Sequence, residues 1–275
     1  MYIIANSGSF AEQLLETLSA RIHIDGVYLV NRSTDSTCIL LEVLRWLESC
    51  DIKLSSLLFV GGEVRDSGRM IFMNYTLPLF VYTHARNNSC AFIYFSSLSV
   101  FGLPYSRLVS TLAARKPLDS YGKSKKMLDD TLAFDNHPIA VIYPASIVTS
   151  VRPGVLLSFA NFINRYFLVN LFFRFFTLPG ALSVCTVDML ALTIADVSKR
   201  LSCSSGNIQV ICSRPVLLSG FNNFVDEHGL VVPKIPSGLI KLPSIPLEIS
   251  KTLTYGLPYS LRRRLIFLFS SILYQ

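Results

Sequence analysis

The chain has 275 residues, 51% of them hydrophobic and 16% charged, with 25 Lys+Arg against 18 Asp+Glu and a formal net charge of +7. That composition excludes intrinsic disorder, collagen and coiled coil, and a chain of this length buries a large core. No basic stripe interleaved with aromatics and no reader motif accompanies the excess of base, so nucleic acid is not expected as a partner; anionic small molecules or an anionic membrane surface fit better. In chain order, Met1–Ala5 reads as a buried parallel strand and Phe10–Ala20 as the helix that follows it. Gly26–Asn31 is a second strand, Cys38–Ser49 a helix, Ser56–Gly61 a third strand and Asn74–Arg86 a helix. Cys90–Phe95 is strand-like, Ser120–Leu132 is a helix with a lysine-rich face, and His137–Tyr143 is again a strand. This alternation predicts an α/β fold with a parallel, doubly wound sheet over residues 1–150. Residues 151–275, richer in proline and less regular, are expected to form a smaller, mostly helical region, with re-entry into the sheet around 183–215.

The six cysteines form no CxxC pair and no zinc-spaced cluster with histidine, so no metal is expected, and the thiols read as small core residues in a reducing compartment. No basic stretch and apolar core of a signal peptide open the chain, which points to the cytoplasm. The apolar stretch 155–184 is interrupted by Asn161, Asn164, Arg165, Asn170 and Arg174, which argues against spanning a bilayer but not against lying on one. The segment Tyr259–Tyr274, basic and then apolar, is a second candidate for peripheral membrane contact; its alternative is a terminal helix docked on the core.

The turn after the first strand, Ser7-Gly8-Ser9-Phe10, lies where a helix N-terminus holds a dinucleotide pyrophosphate, although only Gly8 remains of the expected glycine pattern. Arg32 ends the second strand where NAD-binding chains place a ribose-binding acid; a cation there suits a 2′-phosphate and leans the cofactor toward NADP. The strongest constellation is Ser97, at the end of a strand, with Tyr121 and Lys125 four residues apart on one helix face. A lysine beside a phenol is expected to lower the phenol's pKa, and Ser97 shares the reacting oxygen; that set suits proton transfer at a sugar hydroxyl or ketone while a nicotinamide moves hydride.

On SSLSVFG (96–102), YGKSK (121–125), IAVIYPASIV (139–148) and TVDMLA (186–191), roughly residues 1–215 resemble the extended short-chain dehydrogenase/reductase family of nucleotide-sugar epimerases and dehydratases. The resemblance implies a Rossmann domain with a small C-terminal substrate domain. It implies Tyr121 as acid/base, Lys125 as ribose ligand and tuner of Tyr121, and Ser97 as the group orienting the substrate hydroxyl. Gly61 and Gly62 match the family's third cofactor-side strand end, Asn74 its helix-heading Asn, and Tyr143-Pro144 its Arg-Pro, with Pro144 beside the cofactor. Ser99, Arg152, Asn161 and Arg165 are the further candidates for holding a nucleotide-linked sugar. Leu98-Ser99 stand where the family's dehydratases carry Asp-Glu, which leaves epimerase or ketoreductase, in surface polysaccharide biosynthesis, as the expected activity. The alternatives are a non-catalytic scaffold of the same fold and an enzyme of polyprenyl-diphosphate-linked sugars at the membrane; a homodimer fits each. Between Arg32 and the third strand there are about 25 residues, too few for the family's extra helix and strand, so the adenine-side wall is expected to be abbreviated.

Overall fold

The computed structural model describes all residues except 32, 53–54, 65, 104–107, 151–152, 204–205, 258–261, 263–264, 267, 271–272 and 275. It divides the chain into two compact units. The first comprises residues 1–102, 114–144 and 187–212; the second comprises 103–113, 145–186 and 213–275. Both are therefore discontinuous in sequence.

Six parallel strands build the first unit: β1 (Tyr2–Asn6), β2 (Gly26–Val30), β3 (Ser56–Val60), β4 (Ala91–Phe95), β5 (Ile139–Pro144) and β6 (Asn207–Cys212). Their order across the sheet is β2-β1-β3-β4-β5-β6. The helices are α1 (Ser9–Ser19), α2 (Ser36–Ser49), α3 (Ser67–Ile71), α4 (Leu77–Asn87), α5 (Ser120–Leu132) and α6 (Val187–Cys203). All five residues of β3 and all six of β5 are buried, as continuous apolar runs require when a parallel sheet is covered on both faces. Each fully buried Leu, Ile or Phe there contributes about 1.5–3 kcal/mol of transfer free energy.

The chain steps from β1 outward to β2 and then crosses back over β1 to β3. With right-handed crossovers, that reversal puts α1 and α2 on opposite faces. Accordingly α1 packs with α6, joined by the Arg21–Asp188 ion pair at 3.5 Å, while Glu48 at the end of α2 lies close enough to His84 of α4 to act on its charge. No strand lies beyond β2 among the described residues. Its Tyr28 packs on Trp46 of α2, while Val27 and Leu29, on the other face, are exposed. The sheet therefore ends at β2 among the described residues, and α2 is the crossover helix to β3.

α3 begins at Ser67, capped by the Asp66 carboxylate on the Gly68 and Arg69 amides, so the helix expected from Asn74 starts seven residues earlier. Asn74 does not head it. It sits in a π-turn, Phe72–Thr76, that joins α3 to α4. β3 is followed directly by this helix, which places Gly61-Gly62 at a strand end.

In the second unit, strand Ala181–Thr186 pairs antiparallel with Arg214–Leu217 and parallel with Ser146–Val148. Helices Val155–Arg165 and Phe167–Phe175 pack on a core that includes Leu156, Ala160, Ile163, Phe173, Val184 and Phe221. Of the Tyr259–Tyr274 tail, the described apolar residues Ile266, Leu268 and Phe269 are drawn into this unit: Ile266 is fully buried, and Leu268 and Phe269 pack against the core. A free membrane anchor at the tail is therefore not what these residues form; the docked alternative describes them. All six cysteines are free thiols, with Cys90, Cys185 and Cys212 buried and Cys38 and Cys203 exposed.

Candidate active site

α5 carries Tyr121 and Lys125, and its sequence explains its placement. The Asp119 carboxylate accepts from the Gly122 amide at 2.6 Å and caps the first turn. Gly122 is needed for close approach: a Cβ there would stand 2.7 Å from the Ser99 carbonyl oxygen and 2.9 Å from Pro117. Without a side chain, α5 lies directly against the segment that follows β4. That contact brings Tyr121 close enough to Ser97 for the serine side chain to act on the phenol's charge. Ser97 Oγ also accepts from the Ser99 amide at 3.1 Å, which leaves the hydroxyl proton as the one it donates.

Lys125, one turn on, is 1% exposed. Its Nζ donates to the Gly61 carbonyl at 2.9 Å and to the Phe95 carbonyl at 2.8 Å, and it lies 4.8 Å from the centre of the Tyr94 ring. Burial pushes this ammonium down to about 7, opposed by the charge of Asp129. The Tyr121 phenol moves the other way from the expected depression. Burial pushes it up to about 12, partly offset by the Ser97 side chain. The lysine ammonium is turned to backbone carbonyls, so the expected tuning of Tyr121 by Lys125 is absent from this conformation.

Asn74 closes the floor of the site. Its amide is paired with the backbone of Glu63 both ways, accepting at 2.9 Å and donating at 2.8 Å, and it donates to Ser124 Oγ at 2.9 Å. The π-turn that presents it has a cause in sequence. Pro78 has no amide proton for the Asn74 carbonyl, four residues earlier, and its ring would clash with that oxygen. The Leu77 amide instead reaches back to Phe72, and the freed Asn74 carbonyl takes the Tyr94 hydroxyl at 3.4 Å.

Sequence reasoning missed a third residue on this helix face. Asp129, spaced four after Lys125 as Lys125 is after Tyr121, is 2% exposed and accepts from Ser96 Oγ at 2.9 Å. Burial pushes its carboxyl up to about 6; Arg115, the Ser96 hydrogen bond and Lys125 pull it back. Arg115 itself donates to Gln209 at 2.7 Å and stacks 5.4 Å over the Tyr143 ring. Tyr143, in the place of the expected Arg, is fully buried, and burial with the Asp129 charge pushes its phenol up. The repeated spacing of four was the available signal, but a lone acid on a lysine-rich face reads as solvated.

The β1–α1 turn fits a dinucleotide phosphate in its chemistry. α2 and α5 have side-chain caps, whereas α1 starts at Gly8, with φ of 139°, no side-chain cap and open space above its Cα. Beside it, Ser9 Oγ and Asn6 Oδ1 are buried without a hydrogen-bond partner. Asn6 Nδ2 donates to the Gly62 carbonyl at 2.9 Å, which ties this turn to the end of β3. Side chains at Gly61 and Gly62 would crowd it: a Cβ would stand 2.6 Å from the Phe59 ring at the first and 3.0 Å from Asn74 Oδ1 at the second.

The first unit thus brings together Ser97, Tyr121, Lys125, Asn74, Gly61 and Gly62, with Pro144 ending β5. Ser7, Gly8, Ser9 and Phe10 form the neighbouring turn, and Ser99 lies in the 3-10 segment Leu98–Phe101. Asn161 and Arg165 are exposed on helix Val155–Arg165 of the second unit. Arg32 and Arg152 lie outside the described residues.

No family model matches the chain, and no curated protein matches it in sequence. Solved structures do resemble it. A dTDP-4-dehydrorhamnose reductase from Clostridium acetobutylicum aligns with a TM-score of 0.62 at 12% identity, over 86% of this chain and 84% of that one. The enzyme WbmG of Bordetella bronchiseptica, solved with NAD and UDP, aligns at 0.59 and 16% identity over 99% and 89%. A UDP-Glc/GlcNAc 4-epimerase from Campylobacter jejuni aligns at 0.58 and 14% identity over 97% and 98%. At these identities the likeness establishes the Rossmann-like α/β fold.

Proposed function

We propose that this chain is an NAD(P)-dependent epimerase or ketoreductase of a nucleotide-linked sugar. The observation that carries the reading is the juxtaposition of the Tyr121 and Ser97 hydroxyls on one helix–strand contact, with Lys125 one turn below. Two of the structural neighbours are a nucleotide-sugar reductase and a nucleotide-sugar epimerase, and a third was solved with NAD and UDP, which supports the substrate class. When bound, the nicotinamide supplies hydride acceptance and donation at one sugar carbon. Tyr121 Oη exchanges the proton with the oxygen on that carbon, and Ser97 donates its free proton to the same oxygen, holding it in line. Lys125, released from the Gly61 and Phe95 carbonyls, binds the ribose hydroxyls and brings its positive charge toward the phenol. The Ser7–Phe10 turn holds the pyrophosphate through α1's uncapped amides, with Ser9 Oγ and Asn6 Oδ1 as the side-chain contacts. Arg32 at the adenosine ribose favours NADP, and Ser99, Arg152, Asn161 and Arg165 are the candidates for the sugar nucleotide.

Mass spectrometry of small molecules released from the purified protein tests the reading. NAD(P) and a sugar nucleotide should be recovered. Recovery of neither, together with no binding of NAD or NADP by calorimetry, would favour a second reading, a non-catalytic protein of this fold. The feature favouring that alternative is the Tyr121 phenol at about 12 with Lys125 held by backbone carbonyls, beside a sheet edge that lacks its outer strand.

A further inference from the structure

The two units differ in charge. By sequence, the first unit carries 14 Lys+Arg and 15 Asp+Glu, a net of −1, and the second carries 11 against 3, a net of +8. The whole of the protein's basic excess therefore sits on the second unit. No Asp or Glu occurs between Asp135 and Asp188, a stretch that contains Arg152, Arg165 and Arg174.

Within that acid-free stretch lies the largest concentration of exposed aromatic residues. Helices Val155–Arg165 and Phe167–Phe175 meet at Tyr166 with a bend of 100°. On the second helix, Leu168, Leu171, Phe172 and Phe175 recur at i, i+3, i+4 and i+7 and are 75%, 38%, 38% and 55% exposed. This is an apolar stripe of helical period that faces solvent, whereas Phe173 is buried and Val169 packs partly buried against the core. Phe167 is 76% exposed at the bend, and Phe162 and Tyr166 stack beside it with ring centres 5.2 Å apart. Phe162, Tyr166, Phe167, Leu168 and Val169 line a shallow apolar depression. A polar rail borders the stripe: Arg174 Nε donates to Asn170 at 3.1 Å, and Asn170 donates to Asn164 at 3.0 Å. Arg165 and Arg174 are exposed and make no ion pair among the described residues.

We propose that the bent pair 155–175 is an interfacial membrane anchor that docks on an anionic lipid surface. No helix among the described residues is long and apolar enough to cross a membrane alone, and the bend suits a pair that lies in the interface with Phe167 and Leu168 inserted among the acyl chains. Arg165 and Arg174 are placed to meet lipid phosphates, and the second unit's charge selects an anionic over a zwitterionic surface. A second copy of the chain is the poorer occupant, because pairing this face with itself would oppose two surfaces of charge +8. Vesicle binding is read without turnover, so the test stands apart from the proposed chemistry; the two readings share Arg165, and the anchor also rests on Arg174 and the exposed apolar stripe.

The test is co-sedimentation of the full chain with phosphatidylcholine vesicles, with and without about one-third phosphatidylglycerol, at low and high salt. The parent should bind the anionic vesicles, release them in high salt and ignore pure phosphatidylcholine. Phe167→Asp with Leu168→Asp should weaken binding roughly 100-fold or more. Arg165→Gln with Arg174→Gln should weaken it roughly 20-fold, at about fivefold per cation. Phe134→Asp is the control, because Phe134 is 92% exposed but lies in the first unit, and it should change nothing. Thermal melts verify each variant's fold, and Phe175→Asp replaces the double change if that one unfolds the chain. No binding by the parent, equal binding by the aspartate variants, or equal loss in the Phe134 control would overturn the proposal. So would light scattering in which the aspartate variants dissociate a dimer with vesicle binding unchanged, because the face would then belong to a second copy.

Discussion

The two flanks of the candidate site are built differently. On the flank assigned to the nicotinamide, every group is pinned: α5 touches the Ser97 segment through Gly122, Lys125 is held by two carbonyls, and Asn74 makes three hydrogen bonds. On the flank assigned to adenosine, α1 starts uncapped, two polar atoms are unpaired, and β2 is an open edge with Val27 and Leu29 in solvent. The difference follows from position in the sheet. β3, β4 and β5 are buried on both faces, so a change there propagates through the core. β2 has one neighbour, so a strand and helix beyond it can be lost without exposing the centre. The groups proposed to react reside where the fold tolerates least change.

If the pinned flank is the chemical one, Tyr121→Phe should have the largest effect, lowering kcat by roughly 10²–10⁴-fold with little change in cofactor affinity. Steady-state rates on a substrate identified from the purified protein decide it, and turnover at the parent rate would break the contrast at its strongest point. Lys125→Ala should weaken both cofactor affinity and turnover, and Ser97→Ala should cost less than Tyr121→Phe because one orienting hydrogen bond is lost.

Asp129→Asn tests how deeply that flank is buried. The Asp129 carboxyl is raised in the folded protein to about 6 from 3.8, so folding favours its protonated form. Its contribution is fully present below about pH 4 and lost as pH rises through 6, roughly 3 kcal/mol by linkage. The stability of Asp129→Asn minus that of the parent, from denaturant titrations, should rise by about that amount between pH 4 and 7. Parallel curves would mean that Asp129 is solvated.

A smaller effect is expected from Gly122→Ala. The added methyl meets the Ser99 carbonyl and must push α5 away from Ser97, which should cost about 1–3 kcal/mol of stability and lower kcat more than it raises KM. The smallest belongs to the open flank. Arg32→Ala should reduce affinity for NADP by about tenfold or less and leave NAD unchanged, as read by calorimetry; equal effects on both cofactors would remove the assignment of Arg32.

Much of the pinned flank was legible in the chain. Helix Ser120–Leu132 begins and ends where its Asp119 cap and apolar period indicate, and the spacing of Tyr121 and Lys125 puts them on one face. The missing strand was legible as missing length. What was not legible depended on contacts across the fold. Lys125 belongs to a lysine-rich helix, and nothing local separates it, buried under two carbonyls, from the partly solvated Lys126 beside it, which pairs with Asp130. The direction of the Tyr121 shift follows from where the Lys125 ammonium points, which spacing does not determine. The start of α3 was missed because the expected helix is headed by Asn74, whereas the Asp66 carboxylate caps it at Ser67 and a π-turn carries it through Asn74.

That π-turn makes the site sensitive to frame as well as to identity. It stores one residue more per turn than an α-helix, and an α-helix advances about 100° per residue. Deleting Tyr75 would put the Met73 carbonyl four residues before Pro78, where the ring clashes with it, and would turn the helix after the deletion about 100° relative to Asn74 and its contacts with Glu63 and Ser124. The shortened chain would keep Asn74 itself and lose the frame that presents it.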